Sequence, residues 1–234
     1  EELDSQVEHM YAITDSGRCP PRHPKRTGAL DGETFVRDAT LGVLSSPRPL
    51  PEGGGTWSFE EVCGRLVQLS GSAVLTLATE LVAGAQRAGE PVAWVSVDSD
   101  FYPPDAAASG VDLDSLVVVR VQDAQAAARA ADRLVRSGGF GLVVLDLTAD
   151  AEVPLAVQSR LVALAQRHEV AVVCLTRTPV GAPSLSPLVS LRAHTDRERT
   201  TPGGFACTLH PLRDKRRGTG WTFRKHYVGP AGVR

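Results

Sequence analysis

Leu69 to Ala83 reads Leu-Ser-Gly-Ser-Ala-Val-Leu-Thr-Leu-Ala-Thr-Glu-Leu-Val-Ala, a turn between a short apolar run and a long stretch of helix formers. A phosphate-binding loop belongs at such a turn. A loop of the form Gly-x-x-x-x-Gly-Lys-Ser/Thr surrounds phosphate oxygens with backbone N–H groups, neutralises them with lysine and holds magnesium through the hydroxyl. Here only Gly71 and the hydroxyls of Ser72 and Thr76 remain, and the lysine is missing. A charge-assisted hydrogen bond contributes roughly 1.5–3 kcal/mol. Loss of the lysine and of several backbone donors therefore predicts neither tight ATP binding nor ATP hydrolysis.

Asp98, Asp100 and Asp146 follow or end apolar runs and could be imagined as a metal site. Carboxylates alone hold magnesium poorly when no phosphate oxygens complete the shell, so they read as strand-end groups bonded to nearby backbone. Ser72 lacks the Gly-x-Ser-x-Gly elbow of a hydrolytic nucleophile. His168 ends a helix and suits its last turn. His194, His210 and His226 fall on separate strands without zinc-ligand spacing. No cofactor and no metal are expected.

A second constellation lies near the end of the chain. From Cys207 to Arg234 there are seven Lys or Arg and one Asp, although the whole chain carries a formal charge of −2. Arg213, Lys215, Arg216 and Arg217 form a basic turn, and Arg224, Lys225 and His226 follow, interleaved with Trp221, Phe223 and Tyr227. Clustered cations with aromatic side chains suit single-stranded nucleic acid or an acidic protein surface; a solvated hairpin tip is the plainer alternative. The overall charge argues against wrapping by nucleic acid, so protein contact is favoured and DNA contact is expected to be weak.

The elements that must position these residues alternate. Apolar runs at Arg65–Leu69, Val92–Val97, Leu116–Val119, Leu142–Asp146 and Val170–Thr176 are separated by helical stretches ending near Arg87, Arg136 and His168. Ala88-Gly89-Glu90-Pro91 and Gly138-Gly139 stop the first two. Near-continuous apolar strands alternating with helices predict an α/β fold with a mainly parallel sheet covered on both faces.

Glu61 to Asp146 resembles the ATPase core of the RecA recombinase family. Gly64-Arg65-Leu66-Val67 resembles the approach to that family's first core strand. Ala83-Gly84-Ala85-Gln86-Arg87-Ala88-Gly89 resembles the end of the helix after its phosphate loop. Gly110-Val111-Asp112-Leu113-Asp114-Ser115-Leu116 is similar to the Gly-Val-Asp-x-Asp-x-Leu segment of bacterial RecA, and Asp146 falls at the Walker B aspartate. Counted back from Gln86, the family lysine falls on Val74. Counted forward from Gly71, the loop is about three residues short, on the order of 10 Å of extended chain. Asp98 stands for the water-activating glutamate, and Arg177 follows Thr176 where the family usually has glutamine.

Among RecA-like families that have abandoned ATP chemistry, the basic Leu212–Trp221 segment is more similar to the ImuA type of SOS mutagenesis accessory protein than to the SulA type of division inhibitor. That resemblance implies a non-catalytic adaptor in translesion synthesis, with RecA, an ImuB-like polymerase homologue and self-association as its contacts. A SulA-like division inhibitor and a divergent DNA-repair ATPase are the alternatives.

Three regions are expected: an N-terminal arm and linker at 1–55 around one helix at Gly32–Leu44, a degenerate RecA-like core at 56–178, and C-terminal antiparallel strands with a basic tail at 179–234. Short strands are predicted at Leu188–Ala193, Phe205–His210 and Trp221–Lys225, with Arg197, Glu198, Arg199 and Pro202-Gly203-Gly204 marking a turn. Val180–Pro187 reads as a short uncharged loop where RecA places a DNA-binding loop. Cysteines at 19, 63, 174 and 207 form no close pairs and imply buried thiols in a reducing cytoplasm. No stretch is long and apolar enough for a membrane span. No signal-peptide pattern opens the chain, and a start without Met implies trimming or engineering.

Overall fold

The computed structural model describes residues 54–97, 101–147, 151–201 and 204–228. The arm predicted for residues 1–55 lies outside these, apart from Gly54 and Gly55. The elements are α1 (Phe59–Val62), β1 (Leu66–Gly71), α2 (Val74–Arg87), β2 (Val92–Ser96), α3 (Pro103–Ala108), β3 (Leu116–Arg120) and α4 (Ala124–Ser137). They continue with β4 (Leu142–Asp146), α5 (Leu155–His168), β5 (Ala171–Thr176), β6 (Leu191–Thr201), β7 (Gly204–Asp214) and β8 (Phe223–Val228).

The eight strands form one sheet in the order β3-β2-β4-β5-β1-β6-β7-β8. Its two-sided burial follows from side-chain alternation within the apolar runs. Val67 and Leu69 of β1 and Val173 and Leu175 of β5 face a core built with α1 and α2. Leu66, Val172 and Cys174 face a second core with α4 and α5. Asp123 caps the start of α4, its carboxylate accepting from the Ala126 N–H at 2.7 Å.

Three expectations are corrected. β6 joins β1 in parallel register, Val67 opposite Leu191 and Gly71 opposite Thr195, and only β7 and β8 run antiparallel to their neighbours. β6 and β7 have 11 residues each, so Arg197, Glu198 and Arg199 lie within a strand rather than at a turn. A strand with one buried face alternates apolar and polar side chains, and in Arg192–Arg199 the charged set hid the strand pattern. β3, apolar from Leu116 to Val119, is not buried on both faces: it is the sheet edge, and Val117 and Val118 are exposed. Composition there reports strand propensity rather than burial.

The outer strands β6–β8 bury one face only. Leu191, Ala193, Phe205, Cys207 and Leu209 join the α2 core. Among the described residues, none from these strands joins the α4–α5 core.

They are tied to the rest of the sheet by a buried ion pair. The Arg65 guanidinium, before β1, donates to Asp214 Oδ1 at 2.5 Å, and both side chains are almost wholly buried. Asp214 also accepts from the Arg216 N–H at 2.9 Å, Arg217 Nε at 3.3 Å and Trp221 Nε1 at 3.2 Å. Burial alone would raise the Asp214 carboxyl; the Arg216 N–H and the Arg65 guanidinium outweigh it and hold the pKa below the ordinary carboxylate value.

Removing one partner of a buried pair strands the other charge and costs about 3–5 kcal/mol. Asp214→Ala is therefore expected to lose about that much stability in urea unfolding. Because the folded carboxyl has a lowered pKa, its contribution is complete above the unfolded value and is lost as pH falls through the folded value. The wild-type advantage over Asp214→Asn should persist from neutral pH down to about 4 and vanish in more acidic solution.

Candidate functional site

The phosphate-loop position is built by the C-terminal end of β1, a two-residue turn and the first turn of α2. Gly71 has φ +105°, and a Cβ there would lie 2.0 Å from the Thr195 carbonyl oxygen, so only glycine fits against β6. The Ser72 N–H donates to Thr195 O at 2.9 Å and the Ala73 N–H to Thr195 Oγ1 at 3.2 Å. Thr195 Oγ1 in turn donates to Ser70 O at 2.9 Å. The Ser72 hydroxyl accepts from the Arg197 N–H at 2.9 Å. Two donors of this turn, the Ser72 and Ala73 N–H groups, are thus occupied by the chain's own sixth strand.

Val74, at the counted lysine position, packs into the α2 core, and α2 starts at that residue with no side-chain cap. Thr76 is half-buried beside the Cys207 thiol, whose pKa burial pushes up. Asp146 is buried at the end of β4, opposite Ser96 and Leu175, and its carbonyl accepts from the Val97 N–H at 3.1 Å. Parallel pairing brings Gly71 and Asp146 to the same end of the sheet. Asp98 and Asp100 lie outside the described residues.

A cleft of about 160 Å³ lies over α2, lined by Leu75, Thr76, Thr79, Trp94, Phe101 and Arg197 among others. Sites for small molecules and cofactors run to about 300–1,000 Å³, so it is small for a nucleoside triphosphate. Neither Gly71, Ser72 nor Asp146 lines it.

A larger cleft, about 800 Å³, lies between Ala151–Leu155 and Thr178–Leu185. Two buried glutamines that sequence reasoning missed pin its second wall. Gln68 Oε1 accepts from Ser184 Oγ and Leu185 N, each at 3.0 Å. Gln158 Nε2 donates to Leu185 O at 3.3 Å and its Oε1 accepts from Ser186 Oγ at 2.5 Å. The uncharged loop predicted at Val180–Pro187 is therefore held to β1 and α5. A glutamine inside the apolar run at Leu66–Leu69 was the available signal, since a buried amide needs partners.

The basic cluster is divided by its bonds. Arg217 pairs with Asp214 and Glu61 and lies over the Trp221 ring at 3.9 Å. Trp221, expected among the partner- or DNA-binding residues, is buried, and a Cβ on Gly55 would clash with it at 2.2 Å. Arg216 Nη2 donates to Cys63 O at 3.1 Å. Arg224 pairs with Glu198 and Lys225 with Glu80, which also accepts from Tyr227. Arg213 and Lys215 bond to the Pro187 carbonyl.

His194 and His210 stand opposite each other across β6 and β7, both facing Asp196, at 3.4 and 3.7 Å. Cys63, Cys174 and Cys207 are free thiols; burial pushes Cys63 up to about 11 and Cys174 up to about 12. Cys19 lies outside the described residues.

Residues 59–171 match the family model of the RecA N-terminal domain. The core is RecA-like. Protein RecA of Rubrobacter xylanophilus is 31% identical over 148 residues, which cover 62% of this chain and 39% of that protein. Protein RecA of Bifidobacterium longum is 38% identical over 148 residues, covering 62% of this chain and 34% of the relative. The matched region thus spans well under half the length of these curated relatives. The crystal structure of the RadB recombinase superposes with a TM-score of 0.54 at 20% identity, covering 70% of this chain and 87% of that one, which shows the shared fold. No helix among the described residues is long and apolar enough to cross a membrane.

Within this RecA-like frame, Thr195 is the residue that closes the loop. Thr195→Val removes the donor to Ser70 O and the acceptor for Ala73 N–H, and should cost about 1–3 kcal/mol in denaturant unfolding. Val74→Lys should leave MgATP binding undetected by calorimetry, because the Ser72 and Ala73 donors stay on Thr195.

Proposed function

We propose that this chain is a non-catalytic RecA-like adaptor of the ImuA type in SOS-induced translesion synthesis, contacting RecA and an ImuB-like polymerase homologue. The observation that carries the loss of catalysis is the pairing of the Ser72 and Ala73 N–H groups with Thr195, with Val74 in place of lysine. No loop donor is left pointing at a phosphate from these two residues, and each missing charge-assisted bond removes roughly 1.5–3 kcal/mol of affinity. The RecA-like frame is kept while its nucleotide loop is closed, so function moves to the surfaces. The ImuA-type assignment rests on the Leu212–Trp221 segment, whose Asp214 and Trp221 lock the segment onto β1 and so fix its basic side chains in place.

Contact with RecA follows from the likeness of the sheet and helices to a RecA protomer, and self-association is a further outcome of the same likeness. DNA contact is secondary, since Trp221 is buried and Tyr227 is bonded to Glu80.

Two measurements test the reading. Titration with MgATP should give no saturable heat at micromolar nucleotide; micromolar binding would overturn the non-catalytic assignment. Pull-down of the full chain against RecA and the ImuB-like partner should capture both, and failure with both would overturn the adaptor role. Truncation before Leu212 is unsuitable here because it removes Asp214, so surface substitutions are the appropriate variants.

A further inference from the structure

The bonds within the basic segment separate neutralised cations from a group that is not. Arg65, Arg217, Arg224 and Lys225 each have a carboxylate partner. Among the described residues no carboxylate is paired with Arg192, Arg213 or Lys215. These three are held by carbonyl oxygens instead. Arg192 Nη2 donates to Ala182 O at 2.5 Å, Arg213 Nη1 to Pro187 O at 3.2 Å, and Lys215 Nζ to the same Pro187 O at 2.7 Å and to Leu188 O at 3.4 Å.

They are neighbours. Arg192 and Arg213 are directly opposite in the β6–β7 register, and Arg213 and Lys215 share one acceptor. Burial and the Arg213 charge both lower the Arg192 pKa, and Arg192 Nε is buried without a hydrogen-bond partner. Like charges so placed repel, and carbonyl oxygens orient them without cancelling the charge.

A β-bulge completes the patch. Ala193 pairs with Pro211 and Arg192 with Arg213, which leaves Leu212 as the extra residue on β7, with its side chain exposed. Bulges re-aim side chains at a sheet surface. The result is an apolar side chain beside three preoriented, unneutralised cations, on strands whose outer face joins neither core.

We propose that Arg192, Arg213 and Lys215, with Leu212, form a docking surface for an acidic protein segment that carries an apolar residue among its carboxylates. Arginine takes a carboxylate through two parallel N–H bonds, lysine supplies a point charge, and the fixed orientation lowers the entropy cost of binding. A protein segment is favoured over nucleic acid by the aromatic residues. Base stacking needs exposed rings, whereas Trp221 lies beneath Arg217 and Tyr227 is stacked on Phe205 and bonded to Glu80. The proposal rests on the adaptor reading for its expectation of a protein partner and adds the chemistry of one contact.

The test uses a fluorescent peptide of alternating Asp-Glu pairs and single leucines, titrated with the full chain at low and physiological salt. Saturable binding is expected, weakened at least tenfold by Lys215→Glu or by Arg192→Ala with Arg213→Ala, and weakened by replacing the peptide leucines with serine. Arg224→Ala, on the neighbouring strand β8 and paired with Glu198, should change affinity less than twofold. Lys215 is exposed, so its variant keeps the fold, and a thermal unfolding curve checks this. Absence of binding, or an equal loss with Arg224→Ala, overturns the surface. Tighter binding of an oligothymidine with the same residue dependence overturns the choice of a protein segment. Failure of the peptide leaves the RecA and ImuB-like pull-down standing on its own.

Discussion

The Arg65–Asp214 pair is the constraint on which the outer half of the sheet depends. Arg65 stands just before β1, between the parallel neighbours β5 and β6, and Asp214 ends β7 beyond the last parallel strand. A buried ion pair repays its desolvation only when its other lone pairs and protons are satisfied. Here they are: Arg65 also donates to Ser190 Oγ at 2.9 Å and to Glu61 O at 3.3 Å, and Asp214 gathers the Arg216, Arg217 and Trp221 donors. Lys-Arg-Arg after Asp214 is therefore not simply a basic tail. One acid organises it, and the cations differ according to whether they face that acid.

A second constraint acts at the opposite end of β1. Parallel pairing of β6 carries Thr195 alongside Gly71, where it meets both N–H groups of the shortened loop. In a nucleotide-binding loop those donors wait for phosphate and are unsatisfied in protein terms until it arrives. An unpaired buried N–H costs about as much as a lost hydrogen bond. Thr195 removes that cost without ligand for the Ser72 and Ala73 N–H groups, and Val74 packs into the α2 core.

The α/β frame was legible because the inner parallel strands β1, β2, β4 and β5 are buried on both sides and read as near-continuous apolar runs: Leu142–Asp146 was placed to the residue. Reading failed where a strand buries one face. In β6 the charged residues Arg197, Glu198 and Arg199 looked like a turn, and nothing in their order says that the strand joins β1 in parallel. At the nucleotide-loop position, Gly71 and the Val74 that stands at the counted lysine place were legible in the sequence. The bonds of that turn to β6 were not, since Thr195 lies 124 residues beyond Gly71 in the chain and carries no motif. Gln68 and Gln158 were passed over for the same reason: a single amide in an apolar stretch signals a buried network only when its distant partners are known.

These constraints have a joint consequence for how such a protein could be regulated. A RecA-like core that needs nucleotide to satisfy its loop has two states, one with the donors met and one without, and a ligand can shift the balance only by its differential affinity for the two. Thr195 meets the Ser72 and Ala73 donors without ligand, and Gln68 of β1 and Gln158 of α5 hold Leu185 and its loop. On the non-catalytic reading, that leaves nucleotide little differential contact at this turn. On the adaptor reading, the surfaces are presented constitutively, and control falls to the abundance of the chain and of its partners rather than to a bound ligand.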